Sequence, residues 1–520
     1  MDLQEIKEAL HTMYGGENKP ITDGNYDKTL SAKCVNGTFV GKKEENIISY
    51  KGIPFVGQQP VGDLRWKAPV DVMPNDGVYE AYFYGKSPVQ SPGDPAALYP
   101  MGEDCLYLNL WKSDDTTAKK PVIVWIYGGA FEVGGTTDPQ YDCHKLVKEN
   151  PDVIVVTITY RVSFFGFMHL SHLSDGKDYP DSQNLGLLDQ LMALKWVHEN
   201  IATFGGDPDN VTIWGESAGG GSCTLLPLIK GSHQYFKRVI SQSGAPGQTR
   251  SPEQAIAVTD KLMEELGCKT VADFTKVSAE KIAEVWTRLF GFYQTLGMPT
   301  FPERDGRYLP QNTWEAYANG AAKDIAFLQG CNKDEMNTFL GVVGVDVWNA
   351  WADSRLEEKR AQLTDAEKVL VQRYMDAIPG ERHEATVRLF SQIMFIAPQI
   401  RLSEAQAKAG GKSYTYYYTV ESALPLIKSG HASELSVVFN HPEFQDFTGR
   451  AYDEAFCRAM RKLWVQFART GTPSPEWPLY NLQDKPVMVL DEKNIHLSTE
   501  PALNIVDRER SYFLTNYYMP

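Results

Sequence analysis

Short apolar runs recur through the first half of the chain, separated by stretches with helical spacing. LYLNLW (106–111), PVIVWIY (121–127), DVIVVTITY (152–160), VTIWG (211–215) and RVISQSG (238–244) are rich in β-branched and aromatic residues, as strands covered on both faces are. Asp189–Ile201 (DQLMALKWVHENI) repeats its apolar positions with the period of a helix. Buried strands alternating with helices predict an α/β fold with a mostly parallel sheet flanked by helices. Upstream, Asn36-Gly37 between KTLSAKCV and TFVGKK predicts a hairpin turn.

The second half changes character. Residues 251–290 and 346–408 carry Ala, Glu, Lys and Arg at helical spacing and predict helical excursions over the sheet, within 251–325 and 340–412. SYTYYYTV (413–420) and PVMVLD (486–491) return to strand, and Glu454–Thr470 forms a helix stopped by Gly471 and Pro473. At the start, Leu3, Ile6, Leu10 and Met13 share one helical face, so 1–27 reads as an N-terminal extension with a short amphipathic helix. No linker-like composition divides the chain, and residues 1–520 are expected to form one domain.

Charge narrows the partners. Lys and Arg number 51 against 66 Asp and Glu, a net charge of −15, which argues against a nucleic-acid partner. The apolar runs fall short of the roughly 20 residues that span a bilayer, and the charged N-terminus has no apolar core of a signal peptide. Seven cysteines occur without any CxxC, so neither a disulfide framework nor a zinc site is expected, and a cytoplasmic location follows.

Gly215-Glu216-Ser217-Ala218-Gly219 matches G-x-S-x-G, with the β-rich VTIW before it and the small-residue run AGGGSCTLL after it. Such a strand-to-helix turn strains the serine backbone and exposes its hydroxyl as a nucleophile. Tyr127-Gly128-Gly129-Ala130 follows the strand PVIVWIY. Glycines there let main-chain N–H groups approach an oxygen that becomes negative. The expected oxyanion donors are the amides of Gly128, Gly129 and Ala218.

These segments resemble the type-B carboxylesterases, the α/β-hydrolase family of cholinesterases, bacterial para-nitrobenzyl esterases and the catalytically inactive neuroligins. The resemblance runs through GIPF…PVGDLRWKAP (52–69), EDCLYLNLW (103–111) and YRVSFFGF (160–167). It continues through NLGLLDQLMALKWVHENIATFGGDPDNVTIWGESAGG (184–220), RDGRYLP (304–310) and FARTGTP…WPLY (467–480). It implies a serine carboxylesterase acting on small-molecule esters through an acyl-enzyme, with no metal or organic cofactor. HExxH, a Walker A loop and GxGxxG are absent.

In this family the chain order is Ser, acid, His. Of the histidines after the elbow, His431 lies in SGHASEL, a loop after a strand, and matches the family's histidine loop; His441 is the alternative. FLQGCNKDEMNTFL (327–340) matches the family's G-x-N-x-D-E, which places the acid on Glu335, with Asp334 beside it as the alternative. Met336-Asn337 stands where the family has a Gly-Ser pair, a change expected to narrow the site. By the same resemblance Glu216 supports the protonated histidine from beside the nucleophile and Ser243 supports the acid by hydrogen bonding. Cys105 and Cys268 lack the disulfide partners of secreted animal members, Pro88 standing where one partner would be, as in bacterial members.

For the substrate, Trp286, Phe290, Phe292, Tyr293 and Phe301, with Trp348 and Trp351, either line an apolar pocket or build helix core. Aryl or hydroxycinnamoyl esters are the expected class. A lipase, thioesterase or transacylase on the same residues is the first alternative. A non-catalytic cholinesterase-like binding protein is the second, although the neuroligins lack a complete triad and every position is filled here.

Overall fold

The computed structural model describes residues 15–498, except 92–97, 118, 291–298, 362, 377 and 379. The expected N-terminal helix, Phe292 and Tyr293 lie outside the described residues.

Eleven strands form the main sheet: β1 (Lys42–Glu44), β2 (Ile47–Pro54), β3 (Tyr107–Ser113), β4 (Lys120–Ile126), β5 (Ile154–Ile158), β6 (Gly206–Glu216), β7 (Arg238–Gln242), β8 (Ala326–Asn332), β9 (Lys412–Tyr418), β10 (Val487–Asp491) and β11 (Asn494–Ser498). Their order is β1-β2-β3-β5-β4-β6-β7-β8-β9-β10-β11. From β5 to β10 every neighbouring pair is parallel, and antiparallel pairs close both margins. Val122–Ile126 and Ile154–Ile158 are buried along their length, as centre strands with helices on both faces must be. Each Val or Ile among them contributes about 1.5–3 kcal/mol of burial.

The hairpin exists, but its two-residue loop is Val35–Asn36, because Cys34 pairs with Gly37. The Asn36 side chain is committed elsewhere, donating to the Pro54 carbonyl and accepting from the Trp196 indole. That tertiary bonding moves the turn by one residue.

The helices that matter for the site are α1 (Leu185–Asn200), α2 (Ala218–Leu225), α3 (Pro252–Glu265), α4 (Ala279–Phe290), α5 (Asn337–Val343), α6 (Val345–Arg360), α7 (Arg382–Ser391) and α8 (Ala397–Lys408). Helices α3 and α4 fall within 251–325 and α6 to α8 within 340–412, while α5 begins ahead of the second range. A π-helical turn, Gln392–Ile396, joins α7 to α8. Pro398 in the first turn of α8 has no N–H to give back to the Met394 carbonyl, and the helical ladder slips there. A buried bidentate pair between Arg161 and Asp189 ties the loop after β5 to α1.

Candidate active site

β6 runs directly into α2 through Ser217, whose φ of 55° and ψ of −124° lie outside the regions ordinary side chains favour. The surroundings over-determine that strain. The Ser217 N–H donates to the Gln242 carbonyl (2.8 Å), and the Ser217 carbonyl accepts from the Gly221 N–H (2.8 Å). A β-carbon on Gly219 would meet the Ile126 carbonyl oxygen at 1.9 Å, so only glycine lets α2 approach β4 this closely.

After β4, Gly129, Ala130 and Phe131 have φ values of 108°, 57° and 61°. Successive main-chain N–H groups in a turn can together form an anion-binding concavity. Among the described residues the N–H groups of Gly128, Gly129, Ala130 and Ala218 donate to nothing. Ala130 was not expected in this set; its signal is a backbone angle, which the residue type does not announce. Gly128 stands against the elbow, where a β-carbon would lie 2.8 Å from the Glu216 carbonyl oxygen and 3.0 Å from the Ser217 β-carbon.

His431 and Glu335 come together from the loops after β9 and β8. Nδ1 of His431 lies 2.5 Å from Oε2 of Glu335. The His431 N–H donates to the Glu335 carbonyl (3.0 Å), and the Thr338 hydroxyl donates to the His431 carbonyl (2.9 Å). Glu335 is fully buried, and its Oε1 accepts from the Ser243 hydroxyl (2.6 Å) and the Asn332 N–H (2.7 Å). A carboxylate can only accept, so Nδ1 carries the proton and Nε2 keeps its lone pair. Nε2 lies 3.1 Å from Oε1 of Glu216, and neither atom has a hydrogen-bond partner among the described residues. Burial pushes the His431 pKa down, but the charges of Glu216 and then Glu335 outweigh it and the imidazole is held above its ordinary value.

The two alternatives are placed elsewhere. The Asp334 carboxylate faces Lys333 at 4.0 Å rather than His431. His441 uses both ring nitrogens, Nε2 on the Asp142 carbonyl (2.7 Å) and Nδ1 on Glu443 (2.9 Å).

Three further features were missed. Glu434 is fully buried, accepting from Gln242 Nε2 (2.8 Å) and Asn332 Nδ2 (2.6 Å), while Asn332 also donates to the Gly430 carbonyl (2.7 Å). This network joins the ends of β7 and β8 to the histidine loop; its sequence traces are Asn332 in the G-x-N-x-D-E segment and the Glu434 that follows the loop. The rings of Phe395 and Phe339 flank His431, with centroids 4.6 and 5.4 Å from the imidazole. Phe395 sits on the π-turn, a local geometry that helical periodicity conceals. Glu132, behind the glycine loop, is buried and pushed up to about 7, against hydrogen bonds from Thr300, Trp286 and Ser163.

That last carboxylate explains the position of Trp286. Its indole N–H donates to Glu132 (2.8 Å) and its ring is fully enclosed, so it is core rather than pocket surface. Trp348 is likewise enclosed and donates to the Thr386 hydroxyl (2.9 Å). Both depart from the pocket-lining expectation because each indole found a buried acceptor. Phe290 is half-buried against Trp286, and Phe301 packs edge-on to Phe131. All seven cysteines are buried free thiols. Among the described residues no three His, Cys, Asp or Glu side chains converge as a metal site, and no helix is long and apolar enough to cross a membrane.

The sequence profile of the Carboxylesterase family matches residues 28–506. The chain belongs to this family. It is 33% identical to the para-nitrobenzyl esterase of Bacillus subtilis (strain 168), over 89% of this chain and 95% of that protein. It is 30% identical to the acetylcholinesterase of Bungarus fasciatus, over 97% of this chain and 87% of that one. Among solved structures, a Geobacillus stearothermophilus carboxylesterase superposes with a TM-score of 0.80 at 33% identity, covering 92% of this chain and 99% of that one. The protein is a serine carboxylesterase, a carboxylic ester hydrolase with the α/β-hydrolase fold. The lipase, thioesterase, transacylase and non-catalytic readings are not favoured.

Proposed function

We propose that Ser217 is the nucleophile of this carboxylesterase, His431 its general base and Glu335 the carboxylate that orients the base. Ser217 Oγ attacks the ester carbonyl while its proton passes to His431 Nε2. The amides of Gly128, Gly129 and Ala218, with that of Ala130, receive the oxyanion. The alcohol leaves with the proton from Nε2, and water activated by the same nitrogen releases the acid. The observation that carries this reading is the 2.5 Å contact between His431 Nδ1 and Glu335, with Nε2 left without a hydrogen bond. Glu216 and Ser243 act behind these groups, Glu216 by its charge near Nε2 and Ser243 by fixing Glu335.

The substrate class in this reading is small esters with an aryl or hydroxycinnamoyl part. It is supported by Phe339 and Phe395 beside the base and by likeness to a para-nitrobenzyl esterase. A cytoplasmic location is supported by the seven unpaired thiols. The test is a fluorophosphonate probe with peptide mapping, paired with Ser217→Ala. Labelling at Ser217 and loss of p-nitrophenyl acetate turnover in a folded variant are the expected results. Near wild-type turnover in that variant would defeat the assignment.

A further inference from the structure

A second serine–imidazole–carboxylate chain lies outside the site just described. His169 Nδ1 is 2.7 Å from Oε2 of Glu303, and His169 Nε2 is 3.1 Å from the Ser171 hydroxyl. None of the three residues is part of the Ser217 machinery.

The imidazole of this chain is held on several sides. The Glu303 side chain is 1% exposed. Its backbone N–H and carbonyl are both bonded to the Asn184 side chain (2.8 and 2.9 Å). Arg250 is buried beside it, and the opposing charge of Glu303 acts on that guanidinium. The His169 N–H donates to the Thr259 hydroxyl on α3 (3.1 Å). His172 closes the other side, its Nδ1 on the His169 carbonyl (2.7 Å) and its Nε2 on Asp260 (2.8 Å).

The protonation follows from the partners. Glu303 accepts only, so the His169 proton is on Nδ1 and the Nε2 lone pair receives the Ser171 O–H. Ser171 is half-buried on a turn, within reach of solvent. The N–H groups of Ser171 and of the next residue, His172, donate to nothing among the described residues. Nucleophile, base, orienting carboxylate and free main-chain donors therefore occur together.

We propose that Ser171 is a second acyl-acceptor serine, taking the acyl group of small activated aryl esters independently of Ser217. Its Oγ forms a bond to the acyl carbon, the acyl–oxygen bond to the aryl group breaks, and the aryl oxide leaves with the electron pair. The Ser171 proton passes to His169 Nε2 and then to solvent. The product is an acyl-serine on an open turn.

The test uses the full chain carrying Ser217→Ala, incubated with p-nitrophenyl acetate and read by intact mass and peptide mapping. One acetyl group is expected on Ser171, at a rate about 10²-fold or more above any other exposed serine in the same digest. Adding Ser171→Ala removes that label, and adding His169→Gln slows it by about 10²-fold or more, with folding checked by circular dichroism. Ser171→Ala alone keeps wild-type steady-state turnover. Acetyl groups on lysines alone, or Ser171 labelling no faster than other serines, would overturn the proposal. Continued turnover by Ser217→Ala protein that survives the added Ser171→Ala would count against Ser217 instead, and the two failures are separate observations.

Discussion

The Ser243 hydroxyl donates to Glu335 Oε1 at 2.6 Å, on the carboxylate oxygen that His431 does not use. Ser243 itself sits at φ 54°, a strained value for a serine. Its N–H is pinned to the Gly330 carbonyl (2.8 Å). The residue therefore fixes the rotation of the Glu335 carboxylate, and through it the ring of His431. Ser243→Ala leaves Oε1 with one donor, the Asn332 N–H, in place of two. The expected result is a kcat about 10-fold lower with KM little changed, the size of one lost hydrogen bond to a charged group. Steady-state kinetics on p-nitrophenyl acetate measure it; an unchanged kcat would show that Asn332 alone suffices.

The choice of base separates cleanly by mutation. His431→Ala is expected to lower the rate by about 10³-fold or more, leaving only what the main-chain donors supply. His441→Ala removes a ring already engaged by Asp142 and Glu443, so kcat stays within a few-fold of wild type while thermal stability falls. A larger kinetic loss in His441→Ala than in His431→Ala would reverse the assignment.

The parts of this architecture written in local pattern were readable in the chain. The apolar runs at 121–127, 152–160 and 211–215 became β4, β5 and β6, because a run of β-branched residues has few other stable fates in a large sheet. The pairing of Glu335 with His431 bridges 96 positions, and periodicity says nothing at that range; only the resemblance reached it. What stayed hidden depends on single backbone angles or buried partners. The left-handed φ of Ala130, the slipped turn that carries Phe395, and the acceptors for Trp286 and Trp348 are of this kind. An indole reads the same whether it lines a pocket or donates to a buried Glu132.

Gly128 offers a test of the main-chain donors. A β-carbon there meets the Glu216 carbonyl oxygen at 2.8 Å and the Ser217 β-carbon at 3.0 Å. Both neighbours belong to the strained elbow and cannot retreat, so in Gly128→Ala the glycine loop must move instead. Losing a well-placed oxyanion donor costs about 10²–10³-fold in kcat. That loss is expected here, with circular dichroism unchanged and fluorophosphonate labelling of Ser217 slowed in parallel. Full activity in Gly128→Ala would place the donors elsewhere in the loop.

In the proposed mechanism Glu216 sets the pH range over which His431 works. As the proposed base, His431 is expected to take the Ser217 proton only when its ring is neutral. Burial alone would favour the neutral ring at lower pH, but Glu216 at 3.1 Å and Glu335 at 2.5 Å stabilise the imidazolium and raise its pKa. The active form is therefore lost as pH falls through that raised value, so the acid limb of kcat/KM is expected above the ordinary imidazole range. Burial pushes the Glu216 carboxyl itself up to about 8, with the His431 charge acting to lower it, so the charge beside Nε2 is the one Glu216 carries when ionised; Glu216→Gln removes it, which destabilises the imidazolium and lowers the pKa. The limb should then move to lower pH by about 1–3 units, with relative activity near pH 6 rising. Because Glu216 and His431 titrate as a pair, the shift is read from the whole pH–rate profile rather than one point. A limb that stays in place, or moves upward, would show that the Glu216 carboxyl carries no charge in the free enzyme.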